Sequence, residues 1–113
     1  MAVTDLKNAL EDLSAKAYHY KAPQQKKPPY IVWGETSVSH AEDADDRAQL
    51  LLVSGELWLY TDREFDKTAD EIAEMMEEIG AAWRITTIGR DNDTGLIVYG
   101  YDWGLACGVG EIY

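Results

Sequence analysis

The chain has 113 residues, 46% of them hydrophobic, with 4 Trp and 7 Tyr, enough apolar material for the core of one domain. Its 21 Asp and Glu outnumber 10 Lys and Arg, a formal net charge of -11, and such a surface repels phosphate at long range, which makes the chain a poor candidate for gripping nucleic acid. The single cysteine, Cys107, excludes an internal disulfide and a cysteine-rich zinc site, and a lone thiol suits a reducing cytoplasm.

Residues Met1 to Leu6 lack the basic-then-apolar plan of a signal peptide. No apolar run approaches the roughly 20 residues of a membrane span. With no repeats and no linker, residues 1–113 read as a single domain.

Thr4 is placed to cap a helix from Asp5, and Val3, Leu6, Leu10, Leu13 and Ala17 recur at steps of three and four, one apolar stripe. Tyr18 to Tyr20 read as a short extended piece. Lys21 to Pro29 is a loop, because Pro28 and Pro29 forbid helix and hold the chain extended into the strand Tyr30 to Trp33. Residues 34–47 are polar, with Glu42, Asp43, Asp45 and Asp46 crowded together, and are expected to form an exposed, mobile acidic loop or hairpin tip.

Strand character returns from Gln49 to Tyr60, where Leu51, Val53, Leu57 and Leu59 line one face. Leu50, Leu52, Trp58 and Tyr60 line the other, so neither face is cleanly polar. Gly55 inside this strand suggests a bulge or a close backbone approach. Thr61 and Glu64 have capping-box spacing. Phe65, Ala69, Ile72, Ala73, Met76 and Ile79 then predict an amphipathic helix from Asp62 to Ile79 that ends at Gly80 and packs Ile72 and Met76 on the sheet. Ala82 to Ile88 is a strand with Trp83, Ile85 and Thr87 on one face. Asp91 to Gly95 is a turn by composition, and Leu96 to Trp103 is a last strand with Ile97, Tyr99, Tyr101 and Trp103 on one side. Residues 104–113 form a Gly-rich tail. The expected fold is α/β in the α+β sense, in the order α-β-β-β-α-β-β. Its four to five strands form a single mostly antiparallel sheet, with two helices packed on one face.

Catalytic chemistry finds little footing. Ser39 and His40 are neighbours in a polar stretch, where adjacent side chains diverge and cannot form a triad on rigid elements. His19 reads as a strand-edge residue. Asp91 to Gly95 departs from a calcium loop in its Gly position and lacks the closing Glu. Cys107 has no activating neighbour in sequence. No phosphate-binding Gly loop is present, and no metal or cofactor is expected. The surplus of aromatics is more informative: either the strand register differs from this reading, or another subunit buries part of Trp58, Tyr60, Tyr99, Tyr101 and Trp103.

Three segments together carry a resemblance: Ala17-Tyr18-His19-Tyr20, then Lys27-Pro28-Pro29-Tyr30-Ile31-Val32-Trp33, then Glu56-Leu57-Trp58-Leu59-Tyr60-Thr61-Asp62. Over residues 1–103 the order and spacing resemble tail-terminator, or tail-completion, proteins of long-tailed phages and prophages of Gram-positive bacteria, similar in role and fold to the lambda tail terminator. Trp33 stands where that group has Tyr, and the Gly-rich tail is a second departure. The resemblance implies a non-enzymatic virion protein. It would be assembled in the host cytoplasm as a homo-hexameric ring that caps the tail tube, stops its growth and meets the head connector, with DNA passing through the lumen and no membrane partner. Other readings are a different head-tail neck subunit, a small acidic enzyme and a DNA mimic. Under the ring reading, Lys21, Lys26 and Lys27 of one subunit are expected to approach Glu42, Asp43, Asp45 and Asp46 of the next, with Trp58, Tyr60, Tyr99, Tyr101 and Trp103 supplying apolar contact.

Overall fold

The structure is a computed structural model that describes residues 1–40 and 50–113. The elements are α1 (Val3–Glu11), β1 (Lys16–His19), β2 (Tyr30–His40), β3 (Leu50–Thr61), α2 (Thr68–Ile79), β4 (Ala82–Arg90) and β5 (Ile97–Gly108). The expected α-β-β-β-α-β-β order holds. The five strands form one sheet in the order β1-β2-β3-β5-β4. β1 runs parallel to β2, and every other pairing is antiparallel.

Strand alternation assigns the two faces. Ile31 pairs with Leu59 and Trp33 with Leu57, while Leu57 pairs with Tyr101 and Val53 with Leu105. These side chains are buried and join Val3, Leu6 and Leu10 of α1 and Ile72, Met75 and Met76 of α2 in one core. Both helices therefore lie on this face. Leu57 and Leu59 are fully buried, as are Ile72 and Met76, so the α2 stripe read from the sequence is the one that packs.

Several boundaries differ from the sequence reading. α1 begins at Val3, and Thr4 does not cap it. The Asp5 carboxylate instead accepts from the Ala2 backbone N–H at 2.9 Å, while the Thr4 hydroxyl donates to the Tyr113 carbonyl at 2.8 Å. α2 begins at Thr68, not Asp62. Asp66 takes the role expected of the Thr61–Glu64 box, with one oxygen accepting from the Thr61 hydroxyl at 2.5 Å and the other from the Thr68 backbone N–H at 2.9 Å. A carboxylate there also faces the positive end of the helix dipole. Phe65 consequently precedes the helix and is 91% exposed.

The loop expected at 34–47 is strand as far as His40, because β2 pairs with β3 out to His40 and Leu51. The rest of that loop, residues 41–47 with its four acids, lies outside the described residues. The Gly-rich tail is also strand as far as Gly108, with Leu105 and Cys107 fully inside the core. Beyond it, the Val3 N–H donates to the Ile112 carbonyl at 2.6 Å, which pins the last residues across the start of α1. In β4, the register shifts between Ile85 and Thr87, so Thr87 moves to the face opposite Ile85.

Gly55 sits where the β2–β3 register also shifts. A Cβ there would lie 2.0 Å from the Gly34 carbonyl oxygen and 2.6 Å from the Trp103 ring. Backbone oxygen cannot swing aside, so Gly55→Ala is expected to destabilise the fold by at least about 1–3 kcal/mol. Ile72→Ala is expected to cost about 2–5 kcal/mol, through lost burial and the cavity left under α2. Denaturant midpoints of the two variants against the parent chain check both values.

Candidate assembly surface

The face away from the helices is the distinctive surface of the molecule. By register it presents Tyr30, Val32 and Gly34 of β2 beside Tyr60, Trp58 and Glu56 of β3, and then Val98, Gly100 and Asp102 of β5. No helix covers it. Leu50 and Leu52, on the same face, are 45% and 44% exposed. A strand with apolar side chains on both faces arises where each face has something to meet.

Two sets of aromatic rings organise this face. The Tyr30 and Tyr60 rings stack at 5.0 Å with only 5° between their planes. Trp58 lies flat across β5, and a Cβ at Gly100 would come within 2.6 Å of its ring, so only glycine leaves room for the indole. Burial, with Tyr60 beside it and Asp91 nearby, raises the Tyr30 hydroxyl pKa.

The connection from β1 to the parallel β2 crosses back over this same face. The Tyr20 N–H donates to the Trp33 carbonyl at 2.6 Å, and the Tyr20 ring rests against Gly34. Lys26 Nζ lies 5.5 Å from the centre of the Tyr30 ring. Lys21 and Lys27 flank it in the loop and are exposed. Between Tyr20 and Trp58 a shallow recess of about 150 Å³ opens beside Gly34 and Glu56.

The expected interface residues therefore divide. Trp58 and Tyr60 are on the open face and partly exposed. Tyr101 and Trp103 are not available to a partner: they are 1% and 2% exposed beneath the helices. Their polar atoms are satisfied within the chain, Tyr101 Oη donating to the Ala69 carbonyl at 2.9 Å and Trp103 Nε1 to the Glu56 carbonyl at 3.1 Å. Tyr99 shares that inward face and packs against the core. Lys21, Lys26 and Lys27 lie in one loop, as expected. Glu42, Asp43, Asp45 and Asp46 lie outside the described residues, so the structure does not bear on their pairing with the lysines.

The histidines resolve simply. His40 ends β2, exposed, with Ser39 directed to the other face. His19 lies on the edge strand β1, its ring stacked on Tyr20 at 4.1 Å and tilted against Trp33 at 4.4 Å. Its Nε2 is 2.5 Å from Glu35 Oε1, and Tyr113 Oη donates to Glu35 Oε2 at 2.6 Å. This knot joins β1, β2 and the last residue of the chain. No local sequence pattern signals it, since His19 and Tyr113 lie 16 and 78 positions from Glu35. Among the described residues, no three His, Cys, Asp or Glu side chains converge as a metal site. Burial raises the Cys107 thiol pKa, so it is a poor nucleophile. Asp91 closes the β4–β5 turn through the Asp93 N–H and the Thr94 hydroxyl. No described helix is long and apolar enough to cross a membrane. A scan against protein-family models finds no match to this chain, and a search of curated proteins finds none either.

Burial opposes ionisation of Glu35, but the hydrogen bonds from Tyr113 and His19 outweigh it and hold its pKa below the usual value of 4.5. Burial likewise opposes ionisation of Asp66, and the bonds from Thr61 and Thr68 hold it below 3.8. A carboxylate with a depressed folded pKa stabilises the fold above its unfolded pKa, and that stability is lost as pH falls through the folded value. Unfolding free energy is therefore expected to be constant near neutrality in these two groups and to decline once pH drops below about 4.5. Glu35→Gln should be less stable than the parent at pH 7 and should close part of that gap at pH 3. Chemical denaturation at the two pH values measures it, and an unchanged gap counts against the knot.

Proposed function

We propose that this chain is a structural subunit of a phage tail, a non-enzymatic tail terminator that works by assembling into a ring on the tail tube. The observation that carries the reading is the open sheet face, which no helix covers and on which Trp58 and Tyr60 are partly exposed and Leu50 and Leu52 half-exposed in the single chain. An apolar surface of this kind is what a subunit brings to self-association. The segments around Pro28-Pro29-Tyr30 and Trp58-Leu59-Tyr60-Thr61-Asp62, which carry the resemblance to tail terminators, contribute to this face or border it.

The charge is compatible with the role. A ring around a DNA passage has to let a polyanion slide, and a chain of net charge -11 offers it little to hold. In this reading the ring stops tube growth by occupying the last tube subunits and presents its other side to the head connector.

Native mass spectrometry and light scattering test the proposal. The expected species is a hexamer, seen by electron microscopy as a ring with a central hole. A chain that stays monomeric at high concentration and low salt would remove the basis for it. Leu52→Lys is a sharper probe. Leu52 is half-exposed, so the folded monomer should keep its stability within about 0.5 kcal/mol. The assembly, in contrast, should weaken strongly, because a lysine ammonium would have to be desolvated in the contact.

A further inference from the structure

The helix layer carries a second surface, on the opposite side of the sheet from the open face. α1 and α2 leave between them a groove of about 230 Å³. Leu13, Met75 and Ile79 line it, and Asp12, Glu74 and Glu78 stand around them. Apolar lining within an acidic rim suits a segment that brings small apolar groups flanked by cations. None of the ion pairs among the described residues involves these three acids.

Such a segment exists in this chain. Residues 16–34 contain Lys16, Lys21, Lys26 and Lys27 and no Asp or Glu, in a protein whose net charge is -11. The exposed part, Lys21-Ala22-Pro23 to Lys27, is the loop that crosses the open face, where Lys26 sits over Tyr30. The loop and the groove are thus on opposite faces of one sheet, and a chain cannot fill its own groove with its own loop.

We infer that the Lys21–Lys27 loop of one copy docks in the acidic groove between α1 and α2 of the next. The inference rests on the self-assembly reading and names the contact through which it acts. The occupant is a second copy because its Lys21–Lys27 loop brings three lysines and no acid to a groove edged by Asp12, Glu74 and Glu78, while the loop of the same chain lies on the far side of the sheet. Docking the loop also brings the open face, with Trp58 and Leu52, toward the neighbour's helix layer. Two different patches on opposite faces make a head-to-tail contact, which closes as a ring or continues as a filament but does not stop at a two-fold dimer. The lysines set orientation and association rate, and the apolar groups hold the contact.

Reciprocal charge reversal tests it. One variant carries Lys21→Glu and Lys27→Glu, leaving Lys26 on Tyr30. The other carries Glu74→Lys and Glu78→Lys. All four positions are exposed, so each variant should melt within a few degrees of the parent, which circular dichroism verifies. At low salt, each alone should need about tenfold or more higher concentration to assemble than the parent. Mixed in equal amounts, they should assemble again as alternating copies, because acidic loops then meet basic grooves and basic loops meet acidic ones. If both reversed chains assemble like the parent, the groove is not the contact, although the ring reading stands. A parent chain that never assembles ends both. Loss of assembly in each variant with no recovery on mixing overturns the pairing. If a Lys-rich synthetic peptide of unrelated sequence binds the groove but reversal leaves assembly unchanged, the occupant is a different protein.

Discussion

Two short helices bury one face of a five-stranded sheet whose β3 and β5 each run to 12 residues, and that one-sided cover dictates the rest of the molecule. On the covered side, bulk is needed to fill the space between helix and strand. Tyr101 and Trp103 supply it, each with its polar atom bonded to a carbonyl, so their burial leaves nothing unpaired. On the other side, the chain can only lay its own side chains and its own crossover loop against the strands. Trp58 flattened on Gly100, and Tyr30 stacked on Tyr60 under Lys26, are what that looks like. They cover part of the face, and the leucines toward the β2–β3 tip stay bare.

The single parallel pairing follows from the same economy. A parallel neighbour needs a crossover, and a helix is the usual means. Between β1 and β2 the chain uses a proline-bearing loop instead, which is thin enough to lie on the open face without closing it. Between β3 and β4, which run in the same direction on either side of β5, it uses α2 on the covered face. One crossover on each side of the sheet places the lysines and the helix carboxylates on opposite surfaces. That segregation arises from topology and from the sequence of each crossover together.

Much of this was legible in the sequence because period and composition report directly on burial. The α2 stripe, the doubly apolar β3 and the odd-numbered aromatic face of β5 all follow from side-chain alternation. What alternation cannot report is which face the helices take, so Tyr99, Tyr101 and Trp103 read as surplus when they are core. The outer half of β2 reads as loop or hairpin tip for a related reason. Thr36 to His40 are exposed on both faces, and a strand that nothing covers shows no apolar period. In the tail, the glycines obscure the period, yet Leu105 and Cys107 alternate with Gly104 and Ala106 as a continuation of β5. The start of α2 turns on Asp66, whose bonds to Thr61 and Thr68 replace the expected Thr61–Glu64 box and set the helix start at Thr68, six positions after Asp62. The Glu35 knot joins residues far apart in sequence, and no local pattern reports such a contact.

The charge sets a condition on any assembly of this chain. Copies of net charge -11 repel one another, and the repulsion grows with every copy added. Apolar contact alone is non-directional and would hold copies in several arrangements. An attraction confined to one loop and one groove resolves both difficulties. It offsets the repulsion only where unlike surfaces meet, and it disfavours face-to-face pairing, in which the lysine loops would confront each other. In such an assembly the acids outside the groove would remain on the surface, where they would keep separate assemblies apart in solution. In a small subunit with one covered sheet face, segregated charge on opposite crossovers is thus a direct physical route from a sticky surface to a single, directional mode of association.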